Sequence, residues 1–330
     1  MLKGRHASRE PGGAMMTHRN EPIPLFESAS AQDAPWALIA EHGRALVQYG
    51  HLSASTRRTY ELAFRRLVDW WRKTMPEEPF SEPLLERYRA SLVARLTPRS
   101  VNVELAAIRK LGATLYRRGI LGYNPTTSLK GQRVSRGHLR RSLTIEEIQR
   151  ILAELPGENE VESRDRALVY LMVKTGLREI EVARATFGDL RQGQYGWRLH
   201  VQGKGRADRT EFVLLTDAVM NALEAYWRYR FSRQAHEPLF ATAYVIPARP
   251  LSVRTIRERI RLAFQRAGLS DPGLVPHSLR HTAATLALEG QAPLHAVQHM
   301  LRHRSLATTE LYLHELNRER DGAERWITQV

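Results

Sequence analysis

The chain has 330 residues, 42% of them hydrophobic, and no cysteine, so disulfides, thiolate metal sites and cysteine nucleophiles are excluded. Fifty Lys and Arg against 35 Asp and Glu leave a net charge of +15, which favours a polyanionic partner because each neutralised phosphate releases counterions. Only six of the basic residues are lysines; arginine suits bidentate phosphate contacts, and genomic base composition can produce the same bias, so charge points to nucleic acid without deciding it.

The longest apolar run in the middle of the chain, Ala167 to Val173, is far shorter than a membrane span. MLKGRHASREPGGAMMTHRNEP lacks the apolar stretch of a signal peptide. The expectation is a soluble, cytoplasmic protein with no membrane partner.

Residues 1–33 mix Gly, Pro, Ser and charge without periodicity and are expected to be disordered. Helical spacing begins at Trp36, and residues 34–125 are expected to form a helical domain. Trp36, Ile39, Leu46 and Val47 share the first face. A second helix, capped at Ser55 or Thr56, carries Tyr60, Phe64, Leu67, Val68 and Trp71 inward; Arg58, Arg65 and Arg66 point away, and Arg57 lies in the first turn. Ser81 and Pro83 open a third helix with Leu84, Leu85, Tyr88 and Leu92 inward. Thr97 and Pro98 open a fourth, with Val101, Leu105, Ile108 and Leu115 inward and Arg99 and Lys110 outward.

Residues 126–141, rich in Gly, Ser and basic residues, form an expected linker, either wrapped on a duplex or a solvated tether. A second domain, 142–330, opens with a helix capped at Thr144, followed by a helix from about Arg164 that stops at Gly176 and a short one opening at Leu177 or Arg178. From Gly196 to Leu215 the period becomes two, which predicts a β-hairpin with Lys204 in or beside its turn. Thr216 or Asp217 caps the next helix and Ser252 another, ending at Gly268; the segments after Pro276, Pro293 and Ser305 are also helical.

Three patterns carry possible chemistry. Arg178 in TGLRE stands at a helix start, where free N–H groups assist anion binding; taken alone it reads first as an ordinary surface arginine. Lys204 in GKG sits on a hairpin tip able to reach a groove, or is a solvated turn residue. In PHSLRHTAAT, His277, Arg280 and His281 share one helix face, where an imidazole can move a proton and a guanidinium can stabilise a phosphate. His295, His299 and His303 recur at a spacing of four, but QAPLHAVQHMLRHRS has no acidic residue and its arginines oppose a cation, so no metal site is expected.

The ordered set of Arg178, Lys204, His277 with Arg280 in HSLRH, His303 in LRHRS and Tyr312 in TTELYLH resembles the tyrosine recombinase, or phage integrase, family over residues 36 to 320. The resemblance implies a mainly α fold with a small β-sheet, comprising a helical DNA core-binding domain and a mixed α+β catalytic domain. It implies a site-specific recombinase that cleaves and rejoins double-stranded DNA through a 3′-phosphotyrosyl link and exchanges strands by way of a Holliday junction. A homotetramer on DNA, a monomer or weak oligomer when free, and no cofactor are implied as well. Tyr312 would be the nucleophile, Arg178 and Arg280 would hold the phosphate, Lys204 would protonate the leaving oxygen, His277 would move the tyrosine's proton, and His303 would donate to the phosphate. Arg57, Arg58, Arg65, Arg66, Arg99 and Lys110 are the expected DNA contacts of the helical domain.

The alternatives are a catalytically silent DNA-binding accessory factor, whose mark would be a lost catalytic position, and a type IB topoisomerase-like enzyme. The family usually has glycine where Arg302 stands, so Arg302 either strains a left-handed turn or replaces it with another. Its side chain is expected to point outward, to DNA or solvent. The apolar tail residues Trp326, Ile327 and Val330 either dock on a neighbouring protomer or pack on their own domain.

Overall fold

The computed structural model describes residues 34–134, 141–202 and 208–327. The chain divides into two compact units, Met1–Ser135 and Arg136–Val330. The expected disorder of residues 1–33, and Lys204, lie outside the described residues.

The first unit is helical: α1 (Pro35–Tyr49), α2 (Ala54–Thr74), α3 (Glu82–Val93) and α4 (Pro98–Arg117). Short polar side chains start the last three, because a free backbone N–H in each first turn needs an acceptor. Ser81 and Thr97 serve α3 and α4 as expected. For α2 the cap is Ser53, which accepts from the Thr56 N–H, rather than Ser55 or Thr56. The expected inward stripes meet in one core around Leu67, Trp71, Tyr88, Leu105 and Ile108, all at or near zero exposure. Residues 126–134, expected to belong to a linker, lie on this unit. Leu129 is buried in its core, Arg109 donates to the Leu129 carbonyl, and Asn102 exchanges hydrogen bonds with the Gln132 backbone.

The second unit is built around α6 (Glu160–Thr175), packed by α8 (Asp217–Trp227), α9 (Val253–Arg266) and α10 (Ser278–Glu289). Before α6, the helix α5 (Ile145–Ala153) carries a capping box in which Thr144 and Glu147 satisfy each other's backbone N–H groups. Helix α6 begins at Glu160, earlier than expected, with Asn159 as its cap. Its first turn lacks apolar periodicity, and tertiary burial carries it instead. It buries Arg164 and Asp165, and Asp165 accepts from both Arg164 and Arg259.

The sheet has three antiparallel strands in the order β1 (Leu190–Gly193), β2 (Gly196–Val201) and β3 (Glu211–Leu215). The expected hairpin is β2–β3, with Leu199 opposite Val213 and Trp197 opposite Leu215. Strand β1 adds to it through Leu190 opposite Leu199; its sequence LRQG has no apolar alternation to announce it. The last two α-helices among the described residues are α11 (Leu294–Leu301) and α12 (Leu306–Arg320), followed by one 3-10 turn at Ala323–Trp326. A satellite core of Ala284, Leu288, Val297, Leu301 and Tyr312 ties α10, α11 and α12 together. No described helix is long and apolar enough to cross a membrane.

Candidate active site

The site assembles where three chain corners meet: the corner between α6 and α7 (Glu179–Arg184), the start of α10 and the α11–α12 corner. Gly176 ends α6 in the left-handed conformation (φ 61°, ψ 24°), and a Cβ there would stand 2.6 Å from Leu301 Cδ2. Only glycine satisfies both the turn and the close approach. The reversal sets Arg178 at the cap position of α7 (Glu179–Arg184). Glu181, one turn on and buried, accepts from the Arg178 backbone N–H at 2.8 Å and from Arg178 Nη1 at 2.9 Å.

Arg280 lies in the first turn of α10 and is 2% exposed. Its guanidinium donates to the carbonyls of Gly176 and Leu301, so one cation pins the other two corners. Burial, then the neighbouring Arg178 and Arg302, pull it down to about 9, which leaves it charged at neutral pH. His277 occupies the α10 cap position, and its ring stands edge-on to His281 at 5.0 Å. The His281 ring lies 5.2 Å from that of Tyr312.

His303 stacks on Tyr312 from a second direction, at 6.2 Å and 19°. Its Nδ1 is 2.9 Å from Thr309 Oγ1, and Thr309 is fully buried. Burial first, then Arg280, Arg178, Arg302 and His277, hold the His303 imidazole down at about 4, so it is neutral at physiological pH. Tyr312, on α12, is 6% exposed.

Arg178, His277, Arg280, His303 and Tyr312 therefore come together from three separate corners of the chain. His295, His299 and His303 do not continue along one helix: α11 ends at Leu301, His295 and His299 keep to each other, and the His303 ring stacks on Tyr312.

The expected outward direction of Arg302 is overturned. Arg302 does take the left-handed conformation at the end of α11 (φ 53°, ψ 47°), a position where a side chain costs about 1 kcal/mol. Its side chain turns inward and is 3% exposed. It donates to Glu181 Oε2 at 2.7 Å and to the Met300 carbonyl at 2.5 Å, with a longer contact of 3.4 Å to Glu181 Oε1. A buried carboxylate attracts a cation more strongly than solvent does, once that carboxylate is already dehydrated. Glu181 would be raised by its burial, but Arg302 and Arg178 outweigh this and hold it below the ordinary glutamate range.

Of the six residues expected to contact DNA from the first unit, Arg57, Arg58, Arg65, Arg66, Arg99 and Lys110, all are exposed. Two also have protein partners. Arg65 pairs with Glu61 one turn away, and Arg66 donates to Glu104, a buried carboxylate that also takes the Tyr88 hydroxyl. Burial and the Glu104 charge raise Tyr88 well above the ordinary tyrosine range. Sequence reasoning missed Glu181, Thr309 and Glu104. A glutamate three residues after the start of a helix, where its carboxylate can take a free backbone N–H, is a signal that could have found the first; nothing local marks the other two.

This architecture, a helical unit followed by a mainly helical unit with one small sheet, is the fold of the tyrosine recombinases. The chain belongs to the phage integrase family, whose model matches residues 141–319. It is 31% identical over 285 residues to tyrosine recombinase XerC 2 of Ralstonia nicotianae, covering 83% of this chain and 80% of that protein. It is 30% identical to tyrosine recombinase XerC of Shewanella amazonensis, covering 86% and 92%. Among solved structures, XerH recombinase bound to palindromic difH substrate, in a post-cleavage complex, superposes with a TM-score of 0.70 at 19% identity, covering 87% of this chain and 84% of that one. A lambda integrase tetramer bound to a Holliday junction gives 0.64 at 17% identity, covering 86% and 78%. At these identities the structures establish the fold.

Proposed function

We propose that this protein is a site-specific DNA recombinase in which Tyr312 is the nucleophile. The observation that carries the reading is the convergence of two arginines, a neutral histidine and a tyrosine on one corner, held by Glu181 and by backbone carbonyls. Tyr312 Oη attacks the scissile phosphorus, the P–O5′ bond breaks, and a 3′-phosphotyrosyl link forms. His277 assists removal of the tyrosine proton, and Lys204 protonates the departing 5′-oxygen. Arg178 and Arg280 stabilise the charge that grows on the non-bridging oxygens.

His303 donates a hydrogen bond to the same phosphate. Its low affinity for protons, and the Thr309 hydroxyl on Nδ1, support a neutral ring whose Nε2–H faces the substrate when Thr309 donates. Attack by a 5′-hydroxyl of a partner strand reverses the step and exchanges strands. Because the phosphotyrosine conserves the bond energy, the chemistry calls for no cofactor.

The first unit serves as the DNA core-binding domain, with Arg57, Arg58, Arg65, Arg66, Arg99 and Lys110 on the backbone phosphates. The basic segment before Thr144 joins it to the catalytic unit. Assembly is a homotetramer on two sites that passes through a Holliday junction, with a monomer or weak oligomer in free solution and the cytoplasm as its place of action. Trp326 and Ile327 are 81% and 66% exposed, which supports docking of the tail on a neighbouring protomer. Deleting residues 322–330 is expected to impair assembly on DNA more than binding to a single site; equal loss of both rejects that docking.

A nicked duplex that traps the intermediate tests the chemistry. Wild-type protein should form a covalent adduct, and a paired-site substrate should yield exchanged products. No adduct would return the silent accessory factor, and relaxation without exchange would return a type IB topoisomerase.

A further inference from the structure

Arg302 uses its buried guanidinium to bind a carboxylate that already holds Arg178. Glu181 is fully buried, with Arg178 at 2.9 Å and Arg302 at 2.7 Å on its two oxygens. With Arg178 as its single partner, Glu181 would cancel the charge that Arg178 offers a phosphate. With Arg302 added, the trio carries a net positive charge, and the Arg178 side chain stays 26% exposed, within reach of solvent or a ligand.

The same residue also joins two corners of the site. Its side chain anchors on the α7 side through Glu181, while its backbone is the turn that leads into His303 and the helix of Tyr312. The carbonyl just before it, that of Leu301, is held by Arg280. The left-handed backbone of Arg302 would be less strained with glycine; what the arginine adds is the link from its side chain to Glu181.

We infer that Arg302 is a positioning residue for DNA cleavage, a third guanidinium that neutralises Glu181 and so leaves the charge of Arg178 available to the scissile phosphate. It touches no reacting atom. The inference rests on the recombinase reading and deepens it.

The test is single-turnover adduct formation on a nicked duplex with protein in excess, alongside the affinity for the same DNA. Arg302→Gly gives the turn its preferred residue, so its fold is expected to persist. Arg302→Met keeps the buried hydrocarbon without the charge and serves as a second neutral variant. Both should cleave about tenfold more slowly, as expected for loss of a preorganised charge near the transition state. Affinity should change by less than about threefold, since the Arg302 side chain is buried against Glu181 and reaches no phosphate. Arg302→Lys, which restores a cation beside Glu181, should recover most of the rate.

Neutral variants that cleave as fast as wild type, or faster, overturn the inference, as does a lysine variant as slow as the glycine one. Wild-type protein that forms no adduct at all overturns the recombinase reading, and this inference with it.

Discussion

Arginine does two different jobs in the two units. In the first, Arg57, Arg58, Arg99 and Lys110 stand in solvent on a scaffold that folds through its apolar stripes. In the second, Arg280, Arg302 and Arg164 are buried, each bonded to a carboxylate or a carbonyl, and Arg178 is mostly covered against Glu181. An exposed cation contributes mainly long-range, salt-screened attraction. A buried one has lost its water and holds position, so its removal leaves unpaired partners behind. Net charge therefore describes the first unit well and says little about the second.

Removing a buried cation should have the largest effect. Arg280→Ala leaves the carbonyls of Gly176 and Leu301 without their donor and removes a phosphate contact. It should lower stability by about 2–4 kcal/mol and cleavage by about a thousandfold, read by denaturant unfolding and by adduct formation.

Removing the carboxylate strands two cations. Glu181→Gln should cost about 3–5 kcal/mol at neutral pH. Because the folded chain holds Glu181 below the ordinary value of 4.5, its contribution is present above that pH and disappears as the pH falls through the folded value. The stability curves of wild type and variant should therefore converge in acid. A constant gap down to pH 3 would break the contrast between the two units.

The exposed cations should behave oppositely, with little change in stability and a clear change in salt response. Each of Arg57, Arg58, Arg99 and Lys110 that meets a phosphate should, when changed to Ala, lower the slope of log affinity against log salt by about 0.9. The smallest effect distinguishes two neighbours on one helix. Arg66→Ala should cost about 1 kcal/mol because Glu104 is buried and loses a partner, whereas Arg58→Ala should stay within about 0.5 kcal/mol. Equal melting temperatures for the two would show that the Glu104 contact contributes nothing.

The same division decides how much was legible from sequence. Helices with a polar cap and an apolar stripe, such as those opened by Ser81, Thr97, Thr144 and Ser252, were readable because local rules and burial agree. The cap of α2 was misplaced because Ser53, Ser55 and Thr56 all offer a hydroxyl, and the N–H geometry alone chooses among them. Strand β1 was missed because it is short and forms by adding to a neighbour. Tyr312 and its companions were found through a family pattern, which composition and periodicity do not supply. The inward turn of Arg302 and the burial of Glu181 and Glu104 escaped because charged residues are expected at the surface, and only the folded chain reveals which of them lies against a buried opposite charge.

The central claim is that Tyr312 attacks DNA, and the most direct measurement is the covalent adduct on a nicked duplex, resolved under denaturing conditions. Wild-type protein should give the adduct, and digestion should leave the phosphate on Tyr312. Tyr312→Phe should bind the same DNA and give none. An adduct formed by Tyr312→Phe, or a wild-type adduct mapped to another residue, would contradict the account.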